Sequence, residues 1–160
     1  VSKPMAAILI TWLLFHNREP EGVRLLELYA GLGTIIGHNH PFYMKNFKGG
    51  KGIACTSGMM IAFCPIEVPI GLTLFLAVAL LTKYVSVGSM VGLLSFFVQT
   101  VVFGELGLLD VTQHYRMEVY LLAAFIMLMG IVRHRENIKR LLNGNENKIN
   151  LKKRKEGTVA

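Results

Sequence analysis

The sequence predicts an all-α fold, a polytopic transmembrane helical bundle with about five to six helices. Three observations carry that prediction. Of the 160 residues, 52% are hydrophobic and only 17% charged, where a soluble domain carries about a quarter charged. Two runs, Ile66 to Leu81 and Tyr84 to Phe103, approach the roughly 20 apolar residues that span a bilayer. Finally, lysines and arginines collect on alternate connections between the apolar segments, as they do when loops face opposite sides of a membrane.

Each element follows from local pattern. Pro4 to Phe15 is apolar but too short to span alone, and reads as the latter part of a helix with Pro4 as an interior kink. His16 to Gly22 is a polar loop with Pro20. Val23 to Gly37 forms the second segment, in which Gly33 and Gly37, four apart, are expected to let a neighbouring helix come close. Ile53 to Phe63 is short and rich in small residues, the pattern of a re-entrant or tightly packed helix. Pro65 to Leu81 and Tyr84 to Phe103 are joined tightly at Thr82-Lys83, with Gly88 and Gly92 repeating the small-residue spacing. Gly104 to Arg116 is a mixed loop, and Met117 to Val132 is the last helix. Residues 1–150 read as a single domain, and the basic end 151–160 as a disordered tail.

If every apolar segment crosses once, fourteen of the 17 Lys and Arg residues fall on one side and only Arg18, Arg24 and Arg116 on the other. The positive-inside rule then places 38–52, Lys83 and the C-terminus together in the cytoplasm. The formal charge of +7 is explained in this way, and no basic face interleaved with aromatics supports nucleic-acid binding. Cys55 and Cys64 lack metal or redox spacing and read as small packing residues. No signal peptide precedes the first segment, and further chain is expected ahead of Val1.

Two polar clusters share the cytoplasmic side. The first, Gly37 to Gly52, reads GHNHPFYMKNFKGGKG. Its glycines, Gly49, Gly50 and Gly52, let successive N–H groups converge on an anion, and a helix starting at Ile53 adds its positive end. Lys48 and Lys51 supply charge, so the stretch is expected to bind phosphate beside the bilayer; a flexible basic interfacial loop is the competing reading. A nucleotide P-loop is excluded, because Lys45 stands where the first glycine is required and Gly52 where Ser or Thr is. His38 and His40 lack companions for a metal site, and a histidine that donates a hydrogen bond to a substrate, or ties down the loop, is the favoured reading. The second cluster runs from Arg133 to Arg140 at the end of the last helix. As one continuous helix it would put Arg133, Asn137 and Arg140 on one face and pair Glu136 with Arg140. A positive-inside anchor explains the charges, but not His134, the side chain best suited to proton transfer near neutral pH, nor Asn137.

No nucleophile elbow or readable Cys/His pair is present, and the residues five after His38 and His40 are Tyr43 and Lys45, not Asp. Chemistry here must rest on bound anions, hydrogen bonds and positive charge.

These residues resemble a known family. Gly37-His38, Pro41 and Phe47 to Gly52, followed by Ala54 and Thr56, are similar to the second motif of the bacterial membrane glycerol-3-phosphate acyltransferases that use acyl phosphate. Leu81 to Ser86 resembles their inter-helix connection. Arg133 to Leu142, then Gly144, Glu146 and Lys148, resembles their third motif. The resemblance implies a seven-helix enzyme of the bacterial cytoplasmic membrane that acylates the 1-hydroxyl of glycerol 3-phosphate from acyl phosphate. The products are lysophosphatidate and phosphate, and no cofactor is used. It implies His134 and Asn137 at the reacting groups, and His38, Lys48, Gly49, Gly50, Lys51, Gly52, Arg133 and Arg135 around the substrates. His40 stands where that family usually has Phe. The family's first motif does not occur in the chain, so about two helices are expected before Val1 and these 160 residues alone are expected to be inactive. The alternative is a small transporter or channel subunit for an anionic solute. Such a protein needs charged or broken helices near the midplane, whereas the helix centres here lack charge apart from Glu27, near the opposite face.

Overall fold

The computed structural model describes residues 1–40 and 50–149. Among the described residues seven helices follow one another: α1 (Ser2–Phe15), α2 (Val23–Asn39), α3 (Ile53–Phe63), α4 (Glu67–Thr82), α5 (Val85–Glu105), α6 (Gln113–Arg133) and the short α7 (Arg135–Leu142). No strand occurs among the described residues. Six apolar helices pack into the bundle, and α7 is basic and lies beyond it. Of these, α5 and α6 are long and apolar enough to span a membrane singly, and α1, α3 and α4 are shorter.

The distribution of polarity is that of a chain solvated by lipid. Leu9, Leu13, Leu72, Leu80, Leu121 and Leu128 face outward, whereas Glu27, Glu67, Ser95, Gln99 and Thr100 are buried. Water would reverse this arrangement; hydrocarbon favours it, because buried polar groups can bond to one another and leucines cost nothing outside. The Ile66 to Leu81 run is therefore not uniformly apolar: Glu67 is fully buried at the first turn of α4, where Thr100 Oγ1 donates to its carboxylate.

Neighbours in sequence are neighbours in space. α4 and α5 form a tight antiparallel pair, α1 packs on α2 and α3, and α6 closes against α5 and α2. The α4–α5 approach depends on Gly88, where a Cβ would stand 2.7 Å from the Phe75 carbonyl oxygen. On α2 the small-residue reading moves. Gly33 and Gly37 have nothing within 4 Å of an added Cβ, whereas one at Gly31 would meet Met59 Sδ at 2.7 Å. Gly31 is thus the position at which α3 approaches α2.

At the far end, Arg24 donates to Glu27 (3.0 Å) and to the carbonyl of Phe63 (3.2 Å), closing the C-terminus of α3. At the opposite end the connections α2–α3, α4–α5 and α6–α7 come together.

Candidate functional site

Three chain segments build the site. Gly52, at φ 82°, turns the chain into α3 in the left-handed region, and a Cβ there would stand 3.0 Å from Asn39 Oδ1, so glycine is required on both counts. The first helical bond runs from the Thr56 N–H to the Gly52 carbonyl (2.8 Å). The amides of Ile53 and Ala54 therefore have no helical acceptor, and both residues line the site.

The basic run is not one helix. α6 ends at Arg133, His134 breaks the path at φ −90°, ψ 3°, and α7 starts at Arg135. This break turns His134 and Asn137 inward, where both are buried, and leaves Arg135 and Glu136 outside, paired with each other at 3.6 Å. Glu136 also meets Lys139 at 3.6 Å, and Arg140 turns to Glu146, at 2.7 Å, in place of Glu136.

The segment after α7 supplies the third wall. The Ile149 N–H donates to the carbonyl of Lys83 (2.8 Å), and Lys148 Nζ lies 5.9 Å from the centre of the Tyr84 ring. Glu146 is thereby set against Ser86. Its carboxylate accepts from Ser86 Oγ (2.8 Å), Asn137 Nδ2 (2.6 Å) and Arg140 Nε (2.7 Å). Burial raises its pKa, but these three donors and the Arg140 charge outweigh that and hold it at about 2. Glu146 is ionised at any working pH and orients its donors. Because Asn137 spends its NH₂ on Glu146, its buried Oδ1 has no partner among the described residues and remains an acceptor.

His134 Nδ1 lies 2.8 Å from the Gly130 carbonyl. A carbonyl only accepts, so Nδ1 carries the proton, and Nε2 of the neutral ring is the acceptor. Burial, the largest influence, lowers the imidazole pKa; the Gly130 bond raises it, Lys51 lowers it and Glu146 raises it. The net shift is downward, which favours a neutral, proton-accepting ring.

Together these groups enclose a cleft of about 650 Å³ lined by His38, Lys51, Gly52, His134, Asn137 and Glu146, with Ser86, Ser89 and Lys148 at its edge. A second, apolar cavity of about 260 Å³ runs between α3, α4 and α5 past Thr56, Met60, Gly71 and Leu93. The two share Ile53, Phe75 and Ser89.

Of the residues expected at the site, the structure brings His38, Lys51, Gly52, His134 and Asn137 to one cleft. Gly50 stands behind His38, whose Nε2 would be 2.5 Å from a Cβ there. Arg133 does not line the cleft and bonds to backbone carbonyls instead. Arg135 is 74% exposed and points away. Lys48 and Gly49 lie outside the described residues, as does the tail. Ser86 and Glu146 belong to the motifs, but the sequence gives neither a role. A serine next to a turn and a glutamate in a basic tail carry no spacing signal until the chain folds back. No group of three or more His, Cys, Asp or Glu suited to a metal occurs among the described residues.

The sequence profile of the glycerol-3-phosphate acyltransferase family matches residues 1–144. The chain belongs to the glycerol-3-phosphate acyltransferase family. It is 34% identical over 152 residues to a glycerol-3-phosphate acyltransferase of Thermoanaerobacter sp. (strain X514), an alignment that covers 95% of this chain and 68% of the relative. To the enzyme of that name from Thermotoga petrophila it is 42% identical over 134 residues, 82% of this chain and 60% of the relative. To that from Finegoldia magna it is 40% identical over 124 residues, 76% and 57%. The glycerol-3-phosphate acyltransferase fold is also found by superposition. The crystal structure of PlsY (YgiH), an integral membrane glycerol 3-phosphate acyltransferase in its lysophosphatidic acid form, matches with TM-score 0.75 at 30% identity over 92% of this chain and 67% of that one. The glycerol 3-phosphate form gives 0.74 at 28% identity, covering 92% and 68%. The all-α membrane bundle expected from the sequence is thus supported: the described residues form six bundle helices and the short basic α7, and they superpose on an integral membrane acyltransferase.

Proposed function

We propose that the protein transfers a fatty acyl group from acyl phosphate to the 1-hydroxyl of glycerol 3-phosphate at the cytoplasmic face of a bacterial inner membrane, releasing lysophosphatidate and inorganic phosphate. The observation that carries this reading is the junction of the two cavities. A cationic cleft bounded by Lys51 and the N-terminus of α3 shares the wall residues Ile53, Phe75 and Ser89 with an apolar cavity between helices. A phosphate joined to an alkyl chain matches such a junction; a small anion in transit would need no apolar cavity.

The chemistry needs no enzyme nucleophile, because the donor is already activated. Lys51 and the free amides of α3 hold phosphate. Asn137 Oδ1 and His134 Nε2 accept from the glycerol hydroxyls and aim one at the acyl carbonyl. The hydroxyl oxygen forms the new ester bond, the acyl–phosphate C–O bond breaks, and phosphate leaves with the bond's electron pair. The hydroxyl proton passes to His134 Nε2 and then to solvent or phosphate. Glu146 keeps Asn137 oriented throughout. That PlsY was crystallised in glycerol 3-phosphate and lysophosphatidic acid forms supports the acceptor and the product. The alignments cover 57 to 68% of these relatives.

The test is a transfer assay. The full reading frame encoding these residues is purified in detergent and given acyl phosphate with labelled glycerol 3-phosphate. Lysophosphatidate is expected from acyl phosphate and none from acyl-CoA. A monodisperse, folded protein that makes no product from acyl phosphate sinks the reading.

A further inference from the structure

Arg133 stands at the mouth of the site without lining it, and its guanidinium reaches backbone. One nitrogen, Nη2, donates to the carbonyl of Asn39 at 3.1 Å and to the carbonyl of Gly50 at 2.9 Å. Those carbonyls belong to the two chain positions that close α2 and precede α3. A single nitrogen on α6 therefore ties together both ends of the α2–α3 connection. The carbonyls are ready acceptors, because the end of a helix and a glycine before a helix leave their oxygens without helical partners.

Neighbouring packing shows that the tie has a defined seat. The imidazole Nε2 of His38 lies 2.5 Å from where a Cβ of residue 50 would be, so glycine lets the Gly50 backbone reach the guanidinium without displacing His38. Asn39 is fully buried and its side chain packs against Gly52. Gly50, Lys51 and Gly52 are consecutive, and Lys51 and Gly52 line the cleft. Fixing Gly50 from outside fixes the origin of the Lys51 side chain and the direction of the first α3 amides.

We propose that Arg133 is a positioning residue: it clasps the Asn39 and Gly50 carbonyls and so holds Lys51 and the α3 N-terminus in register with His134 and Asn137. This departs from the expectation, implied by the family resemblance, that Arg133 binds substrate. A phosphate ligand acts through its charge and adds to Lys51; a clasp acts through two carbonyls and works only by way of what it positions.

Backbone hydrogen exchange followed by mass spectrometry, on the detergent-purified full-length protein without substrate, tests the clasp directly. In Arg133→Ala and Arg133→Gln, peptides spanning 36–40 and 50–56 should exchange roughly tenfold faster, as expected when charge-assisted bonds that hold a segment are lost. Peptides from α5 should not change, which separates local release from general unfolding. Arg133→Lys, which keeps one ammonium and is the mildest change to the fold, should restore part of the protection. Wild-type exchange in Arg133→Ala overturns the proposal.

The kinetic arm rests on the function proposed above. Arg133→Ala should raise KM for glycerol 3-phosphate roughly tenfold. Lys51→Ala/Arg133→Ala should lose less than the product of the two single losses, because one of the two groups that the clasp positions is already gone. Multiplicative losses in the double variant would make Arg133 an independent phosphate ligand and also overturn the proposal. If the protein proves to have no acyl transfer, the exchange arm still decides the clasp, so the two failures are distinguishable.

Discussion

Both ends of the bundle shield glutamate side chains from solvent, and these are treated differently. Glu146, beside the cleft, is held by Ser86, Asn137 and Arg140 at 2.6 to 2.8 Å. Glu67, at the opposite end, has Thr100 Oγ1 at 3.3 Å on one oxygen and no partner for the other among the described residues. Glu27, also at that end, is matched by Arg24. The comparison teaches that burial alone does not make an acidic residue part of a site. A carboxylate with three donors is a rigid hub that directs other side chains; one with a single long hydrogen bond, lining neither cavity, is an interior packing group that tolerates change.

Substitutions can break this contrast. The largest effect is expected from Lys51→Ala, which removes the cleft's preorganised cation and should lower kcat/KM for lysophosphatidate formation by about 10²–10³ with the fold retained by circular dichroism. Next, Glu146→Gln should cost roughly tenfold to a hundredfold in kcat/KM by loosening Asn137, while Glu67→Gln should stay within about twofold of wild type. Equal losses in the two would remove the distinction between hub and packing group.

Titration sharpens the same contrast. The Glu146 carboxyl falls from its ordinary 4.5 to about 2 on folding. It therefore contributes stability that is fully present above pH 4.5 and is lost as pH falls towards 2. The Tm difference between wild type and Glu146→Gln should be constant above that window and shrink within it; a pH-independent difference would contradict the assignment. On the kinetic side, the His134 pKa is lowered from 6.5, so the neutral, accepting ring persists below that value. The acid limb of kcat/KM should have its midpoint under 6.5 and disappear in His134→Ala. The smallest effect concerns packing. Gly31→Ala should lower Tm, since its Cβ would meet Met59 Sδ at 2.7 Å, whereas Gly33→Ala should be neutral or raise it, by up to about 1 kcal/mol in stability.

Much of the bundle was legible because a membrane imposes long-wavelength signals. Apolar run length, Lys and Arg asymmetry and the Gly-rich turn before Ile53 are local properties of the chain, and each reappears as a helix or a shared face. The site was legible only in part. His134 and Asn137 were conspicuous against a basic run, and Lys51 against its glycines. Ser86 and Glu146 are separated by 60 residues and meet only because the chain after α7 folds back onto the α4–α5 turn. Arg133 and Asn39, 94 apart, are likewise joined only in space.

The sequence by itself determined the class of solvent, the helix order, the end of the bundle that carries positive charge and the family. Those follow from composition, periodicity and contiguous motifs. Tertiary structure decided which charges serve the cleft and which serve the scaffold. Arg133, Arg135 and Arg140 lie in one eight-residue run, yet one holds two backbone carbonyls, one faces outward and one pins Glu146. The reason is the break at His134: a small change in backbone direction between α6 and α7 rotates side chains that a continuous helix would have kept on a common face.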